Sequence, residues 1–214
     1  MNFFARYHVI SAIACLLLVA PAKAGPETDL LFATPHLDNA PGAQLIAYER
    51  STRRFDAEEN ALVETEERIE MSVAAAADGA ARAIDVVVDP DGRARSFDTF
   101  TGVPGNPMLM VFLEGVVRSL QEATGGSPFY LRNRIRGALA DGLARAPAEG
   151  AGDLLVTRPF ESDRNRHRMG PFADLELRFH LAPDAPGMLT QMTAEARYKG
   201  AEAYFEEIRL APSL

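Results

Sequence analysis

The sequence predicts an α+β fold: a curved antiparallel sheet of about eight strands, four before and four after a central antiparallel helix pair packed on one face. Three observations carry that prediction. Apolar and polar residues alternate with period two at 62–73 and 174–182, and more weakly at 188–198, as half-buried antiparallel strands require. Residues 107–146 break the alternation and repeat apolar residues at helical spacing. Strand runs on both sides of one helical block indicate α+β rather than a succession of βαβ units.

The chain opens with the pattern of a signal peptide, residues 1–24. Arg6 gives a positive start, Val9 to Ala20 is almost wholly apolar, and Ala22-Lys23-Ala24 is a small-x-small cleavage site. The apolar stretch is short for a membrane span, which needs about 20 residues. Cys15 lies inside that stretch, so Ala12-Ile13-Ala14-Cys15 is a poor lipobox. Cleavage after Ala24 is expected, giving a periplasmic or secreted chain with no transmembrane span. The 214 residues less 24 leave 190, without cysteine. That excludes disulfides, a thiol nucleophile and a thiolate metal site.

Residues 25–41 contain Pro26, Pro35 and Pro41 and show no periodicity. They read as an N-terminal arm that docks through Leu30, Leu31, Phe32 and Leu37. Residues 42–214 then read as one α+β domain. Gln44 to Arg53 is the first strand. Leu62 to Val73 is the second, with Val63, Thr65, Ile69 and Met71 on one face and Glu64, Glu66, Arg68 and Glu70 on the other. Ala81 to Asp89 and Arg93 to Phe100 flank Pro90-Asp91-Gly92, a hairpin signal.

The first central helix is announced by Gly105-Asn106-Pro107, with Asn106 as N-cap and Pro107 at the first helical position. Leu109, Phe112, Leu113, Val116, Val117 and Leu120 follow at helical spacing, and Glu114 can pair with Arg118. Gly125-Gly126 ends the helix. Ser127-Pro128 starts the second, whose inward stripe is Leu131, Ile135, Ala138, Leu139 and Leu143. Asp141 can reach Arg145, and Pro147 and Gly150 close the unit. Gly137 and Gly142 are candidates for close approach to a neighbour.

The strand pattern returns at Leu154 to Phe160. In Asp174 to Ala182, Leu175, Leu177, Phe179 and Leu181 oppose Asp174, Glu176, Arg178 and His180. Met188 to Tyr198 sets Met188, Met192, Ala194, Ala196 and Tyr198 on one side, and Glu202 to Leu210 is the last strand. Pro183 to Gly187 suits a hairpin loop.

Composition narrows function by exclusion. The formal net charge is −8, and loss of Arg6 and Lys23 with the leader takes it to −10. A general nucleic-acid binder needs a basic footprint instead. His36, His167 and His180 stand in no metal-ligand spacing, and neither a metal nor a cofactor is expected. Ser127 lacks a Gly-x-Ser-x-Gly elbow and is needed as a cap. Glu64, Glu66, Glu67 and Glu70 fit a charged outer strand face better than a catalytic pair.

Two sets of residues remain as binding candidates. Arg158, Arg164, Arg166 and Arg168, with His167, crowd into eleven residues, and arginine forks suit carboxylate and phosphate. Met71, Met108, Met110, Phe112, Met188 and Met192 could line an apolar cavity between sheet and helices, since methionine adapts to irregular apolar shapes. The motive is the uninterrupted apolar run Met108 to Leu113, which one sheet can cover on one side only.

At Leu31-Phe32-Ala33-Thr34-Pro35-His36-Leu37, Gly105-Asn106-Pro107-Met108-Leu109-Met110 and Thr124-Gly125-Gly126-Ser127, the chain resembles an uncharacterised family of exported bacterial proteins. That resemblance implies export and supplies no catalytic residues. The layout also resembles, in architecture alone, the half-barrel carriers of lipoproteins and lipids in the bacterial envelope. The expectation that follows is non-catalytic binding of an apolar or amphiphilic ligand or a lipidated partner. The alternative is an envelope protein–protein interaction module with a filled core, and a hydrolase comes third.

Overall fold

The computed structural model describes residues 25–34, 37, 44–56, 61–74, 83–90, 93–102, 105–148, 152–184 and 188–212. The leader with Cys15, the turn residues Asp91-Gly92 and 185–187, and His36 lie outside the described residues. Among the described residues nine antiparallel strands form one open sheet: β1 (Gln44–Asp56), β2 (Ala61–Val73), β3 (Ala83–Pro90), β4 (Arg95–Thr101), β5 (Ala144–Ala146), β6 (Asp153–Thr157), β7 (Glu176–Leu181), β8 (Leu189–Tyr198) and β9 (Ala201–Leu210). Among the described residues three α-helices accompany them: α1 (Pro26–Phe32), α2 (Pro107–Thr124) and α3 (Pro128–Asp141).

The strand order is β4-β3-β2-β1-β9-β8-β7-β6-β5. Two meanders therefore meet where the first strand pairs with the last. The connection from β4 to β5 must run from one sheet edge to the other, and α2 and α3 lie on it. This topology draws α2 across the sheet. Phe112 meets Phe179 edge-on at 6.0 Å, and Gly115 lies on β1 and β9.

Helix α2 forms as its sequence dictates. The Asn106 side chain accepts from the Met108 N–H at 3.0 Å, and Gly125 closes the helix at φ 65°. Pro107 to Leu113, Gly115 to Val117 and Leu120 are all buried. Helix α3 starts at Pro128, directly after Ser127, although the Ser127 hydroxyl makes no capping bond. It stops at Asp141, short of the expected end. Gly142 is its C-cap, and Ala144 to Ala146 add the ninth strand by pairing with β6. That pairing moves Arg145 out of reach of the helical Asp141 partnership, and it meets Asp153 at 3.1 Å.

The arm is more ordered than its prolines imply. Pro26 sits in the first turn of α1, and Thr28 Oγ1 donates to the Leu139 carbonyl at 3.0 Å, supplying a hydrogen to the C-terminal end of α3. Leu31 and Leu37 are buried. Gly105 admits this docking: a Cβ there would stand 3.2 Å from the Leu31 carbonyl.

The alternation of β7 is realised, with Leu177, Phe179 and Leu181 all inside. β8 departs from its expected face. A register shift at His180/Leu181 turns Leu189 inward in place of Met188, and a second at Ala196/Arg197 leaves Tyr198 exposed. The segment 158–174 is also more than a loop. It contains two 3-10 turns, Arg166–Arg168 and Gly170–Asp174, and buries Phe160, Met169 and Phe172 in the core. Phe172 packs on Tyr204 at 5.3 Å.

Candidate functional site

Met71, Met108, Met110, Phe112 and Met192 are between 0 and 3% exposed and belong to one contiguous core. Met188 is half-buried and stands apart from it. The apolar run of α2 belongs to one buried core with residues of the sheet, α1, α3 and the 158–174 segment. The surface grooves at described residues are instead lined by charged and polar groups.

The arginine set is divided by its surroundings. Arg158 pairs with Glu176, and Arg166 with Asp174 and the Ala173 carbonyl. Arg164 and Arg168 are exposed and lie within ion-pair distance of no carboxylate among the described residues, although Arg164 attracts the neighbouring Asp163 from further away. His167 is exposed beside them. The segment is fixed by Asp163, whose side chain is 1% exposed. Arg134 Nε stands 2.5 Å from Asp163 Oδ2, the Tyr130 hydroxyl donates to Oδ1 at 2.5 Å, and the Asn165 N–H donates to Oδ1 at 2.6 Å. Burial alone would raise the Asp163 carboxyl, but the Tyr130 and Asn165 hydrogen bonds and the charges of Arg134 and Arg164 together hold it below its ordinary range.

Above this clip, a groove of about 550 Å³ is lined by Arg158, Glu161, Arg166, Asp174, Glu176, Arg178, Glu195 and Arg197. It lies where the segment meets the outer face of β7 and β8. Arg178 pairs with Glu176 at 2.5 Å and Arg197 with Glu195 at 2.6 Å. Further ion pairs stand on the outer face: Arg209 is 3.5 Å from Glu49, and Arg53 is bidentate to Glu202 at 2.9 and 3.1 Å. His180 lies half-buried on this face, and burial, with Arg178 nearby, lowers its pKa.

A second polar site lies on the opposite face, beneath α2. Arg50 of β1 and Tyr204 and Glu206 of β9 point inward among apolar neighbours. Glu206 is 0% exposed. Arg50 Nη2 stands 3.0 Å from Glu206 Oε1, an ion pair whose angle misses hydrogen-bond geometry, and Nη1 stands 3.2 Å from Glu67 Oε2. The Tyr204 hydroxyl donates to Glu206 Oε2 at 2.6 Å. Burial pushes Glu206 above the usual carboxylate range, and the attraction of Arg50 does not fully offset it. Burial and the adjoining carboxylate push the Tyr204 hydroxyl well up as well.

This cluster was missed by reading the sequence, although a signal exists. Tyr204, Glu206 and Ile208 share one parity in β9, and Tyr48 and Arg50 share one in β1. A charge on the apolar parity of a strand marks a buried partner. The close-approach glycine is likewise Gly115, not Gly137, around which nothing lies within 4 Å. Gly142 does meet a neighbour, with Thr157 Oγ1 at 3.5 Å from a built Cβ. Glu114 takes Arg132 of α3, bidentate at 2.7 Å, rather than Arg118 one turn along.

No protein-family model and no curated protein matches the chain. Among the described residues, no group of three or more histidine, aspartate or glutamate side chains could hold a metal ion, and no helix is long and apolar enough to cross a membrane.

Proposed function

We propose that the chain is an exported, non-catalytic interaction module with a filled core, which meets a charged protein partner on the outer face of its sheet. The observation that carries this reading is the groove between the 158–174 segment and strands β7 and β8. Four arginines and four carboxylates line it, a mixture that fits a protein surface better than a polyanion. Apolar anchors and Asp163 hold the segment from below, so these side chains are presented in a fixed frame. Such preorganisation reduces the ordering that binding requires.

Export draws its support from the leader pattern of residues 1–24. The apolar-ligand reading keeps less support, because Met71, Met108, Met110, Phe112 and Met192 lie packed in the core and Met188 stands apart from it. The test places a photo-crosslinking residue at Arg178 or Glu195 in the protein expressed in its own envelope, with Arg136 on α3 as control. A discrete protein adduct from the groove positions, absent from the control and weakened by salt, is the expected result. Absence of groove adducts, together with a stoichiometric lipid in native mass spectra, would return the apolar-ligand reading to the front.

A further inference from the structure

We propose that the groove between α2 and the β1–β2 hairpin is a binding site for a small oxyanion, a carboxylate or phosphate group. It lies on the helix-covered face and is independent of the outer-face groove. Its volume of about 170 Å³ admits a group of that size, and Arg50, Thr52, Thr65, Glu67, Arg118 and Ser119 line it.

Arg50 forms its floor. Two of its nitrogens meet carboxylates, while its buried Nε–H has no acceptor. The guanidinium, fixed by its two carboxylates and 12% exposed, places a held positive charge beneath the groove. Arg118 stands on the α2 wall, exposed, with no ion pair among the described residues. The cause is local: Glu114, the carboxylate one turn before it, is held by Arg132. The strand wall carries Thr52 and Thr65, which face each other in the β1–β2 register, and neither hydroxyl has a partner among the described residues. Arginine forks beside hydroxyl donors are the chemistry that recognises carboxylate and phosphate.

The charges permit an anion. Glu67 is engaged by Arg50, and Glu122, at the mouth, is held by Arg54 at 2.7 Å. Arg50, Arg54 and Arg118 balance Glu67, Glu122 and Glu206 when all are ionised. Burial favours the protonated form of Glu206, and a proton there leaves the groove with a net positive charge. A bound anion would in turn favour that protonation.

Calorimetric titration of the full chain at low salt tests the proposal, using inorganic phosphate, acetate and glycerol 3-phosphate as probes. Saturable binding with Kd of about 0.1–1 mM is expected for at least one probe. Arg118→Ala should weaken it about tenfold or more while changing the unliganded melting curve little, because Arg118 is exposed, makes no ion pair among the described residues and attracts Glu206 only from a distance. Thr65→Val should weaken it several-fold. Arg164→Ala, on the distant segment, should leave it unchanged. Tighter binding of glycerol 3-phosphate than of phosphate would point to an organic phosphate, and equal binding to the free ion. No saturable binding of any probe, or binding that survives both Arg118→Ala and Thr65→Val, would overturn the site.

Discussion

Gly115→Ala is the most direct probe of how α2 sits on the sheet. A Cβ at this position would lie 2.5 Å from Glu206 Oε1 and closer still to Arg50 Nη2. A guanidinium on a free side chain would swing aside at little cost. Here it stands between Glu67 and Glu206, and its side chain is 12% exposed. Moving it separates a buried carboxylate from its cation. Loss of one partner of a buried pair costs about 3–5 kcal/mol, an upper bound for a displacement. Overpacking by one methyl costs about 1–3 kcal/mol, and alanine returns about 1 kcal/mol of helix propensity. If displacement costs about 1 kcal/mol of that bound, it cancels the propensity gain and a net destabilisation of about 1–3 kcal/mol remains. At roughly 2–4 °C per kcal/mol for a domain of this size, the melting temperature falls by roughly 2–12 °C. The control is Gly137→Ala on α3, where nothing lies within 4 Å. It should gain up to about 1 kcal/mol from propensity alone. Urea titrations followed by circular dichroism read both. A Gly115→Ala protein at least as stable as the parent would refute the close packing of α2 on the Arg50–Glu206 pair.

Glu206→Gln separates the parent and variant by pH. Burial raises the folded Glu206 pKa above its unfolded value, so the folded state holds the proton more tightly. The parent's stability from this group is therefore present at low pH and lost as pH rises from the unfolded value through the folded one. The variant lacks that loss, and its stability relative to the parent should improve as pH rises above about 4.5. A difference that is flat with pH, or falls, in urea titrations across that range contradicts the buried-carboxylate account. Asp163→Asn should behave oppositely, since the Asp163 carboxyl is lowered in the fold. Its penalty, about 1–3 kcal/mol at neutral pH from lost charge-assisted bonds, should fade as pH drops below about 4. An undiminished penalty under acid conditions would mean that the clip does not depend on the ionised carboxylate.

The sequence by itself determined the class of the fold, the bounds of α2 and most strand bounds. These rest on local physics: a side-chain amide capping free N–H groups at Asn106, a left-handed glycine at 125, and alternation along 176–181 that puts Leu177, Phe179 and Leu181 on one face. Partnerships across the chain were left to the tertiary structure. Glu114 chose Arg132 over Arg118, and Arg145 chose Asp153 over Asp141, because three-dimensional neighbours compete with helical ones at similar energies. The ninth strand needed the free edge of β6, which exists only once β6 to β9 have paired. The β8 bulge, which exchanged Leu189 for Met188, depended on register against β7. The meeting of β1 with β9 brought Arg50 beside Glu206, residues far apart in sequence, and laid Gly115 over them. A sequence pattern can mark a charge as standing on an apolar face. Only the assembled sheet decides which opposite charge meets it, since that contact is fixed by strand order and register rather than by neighbouring residues.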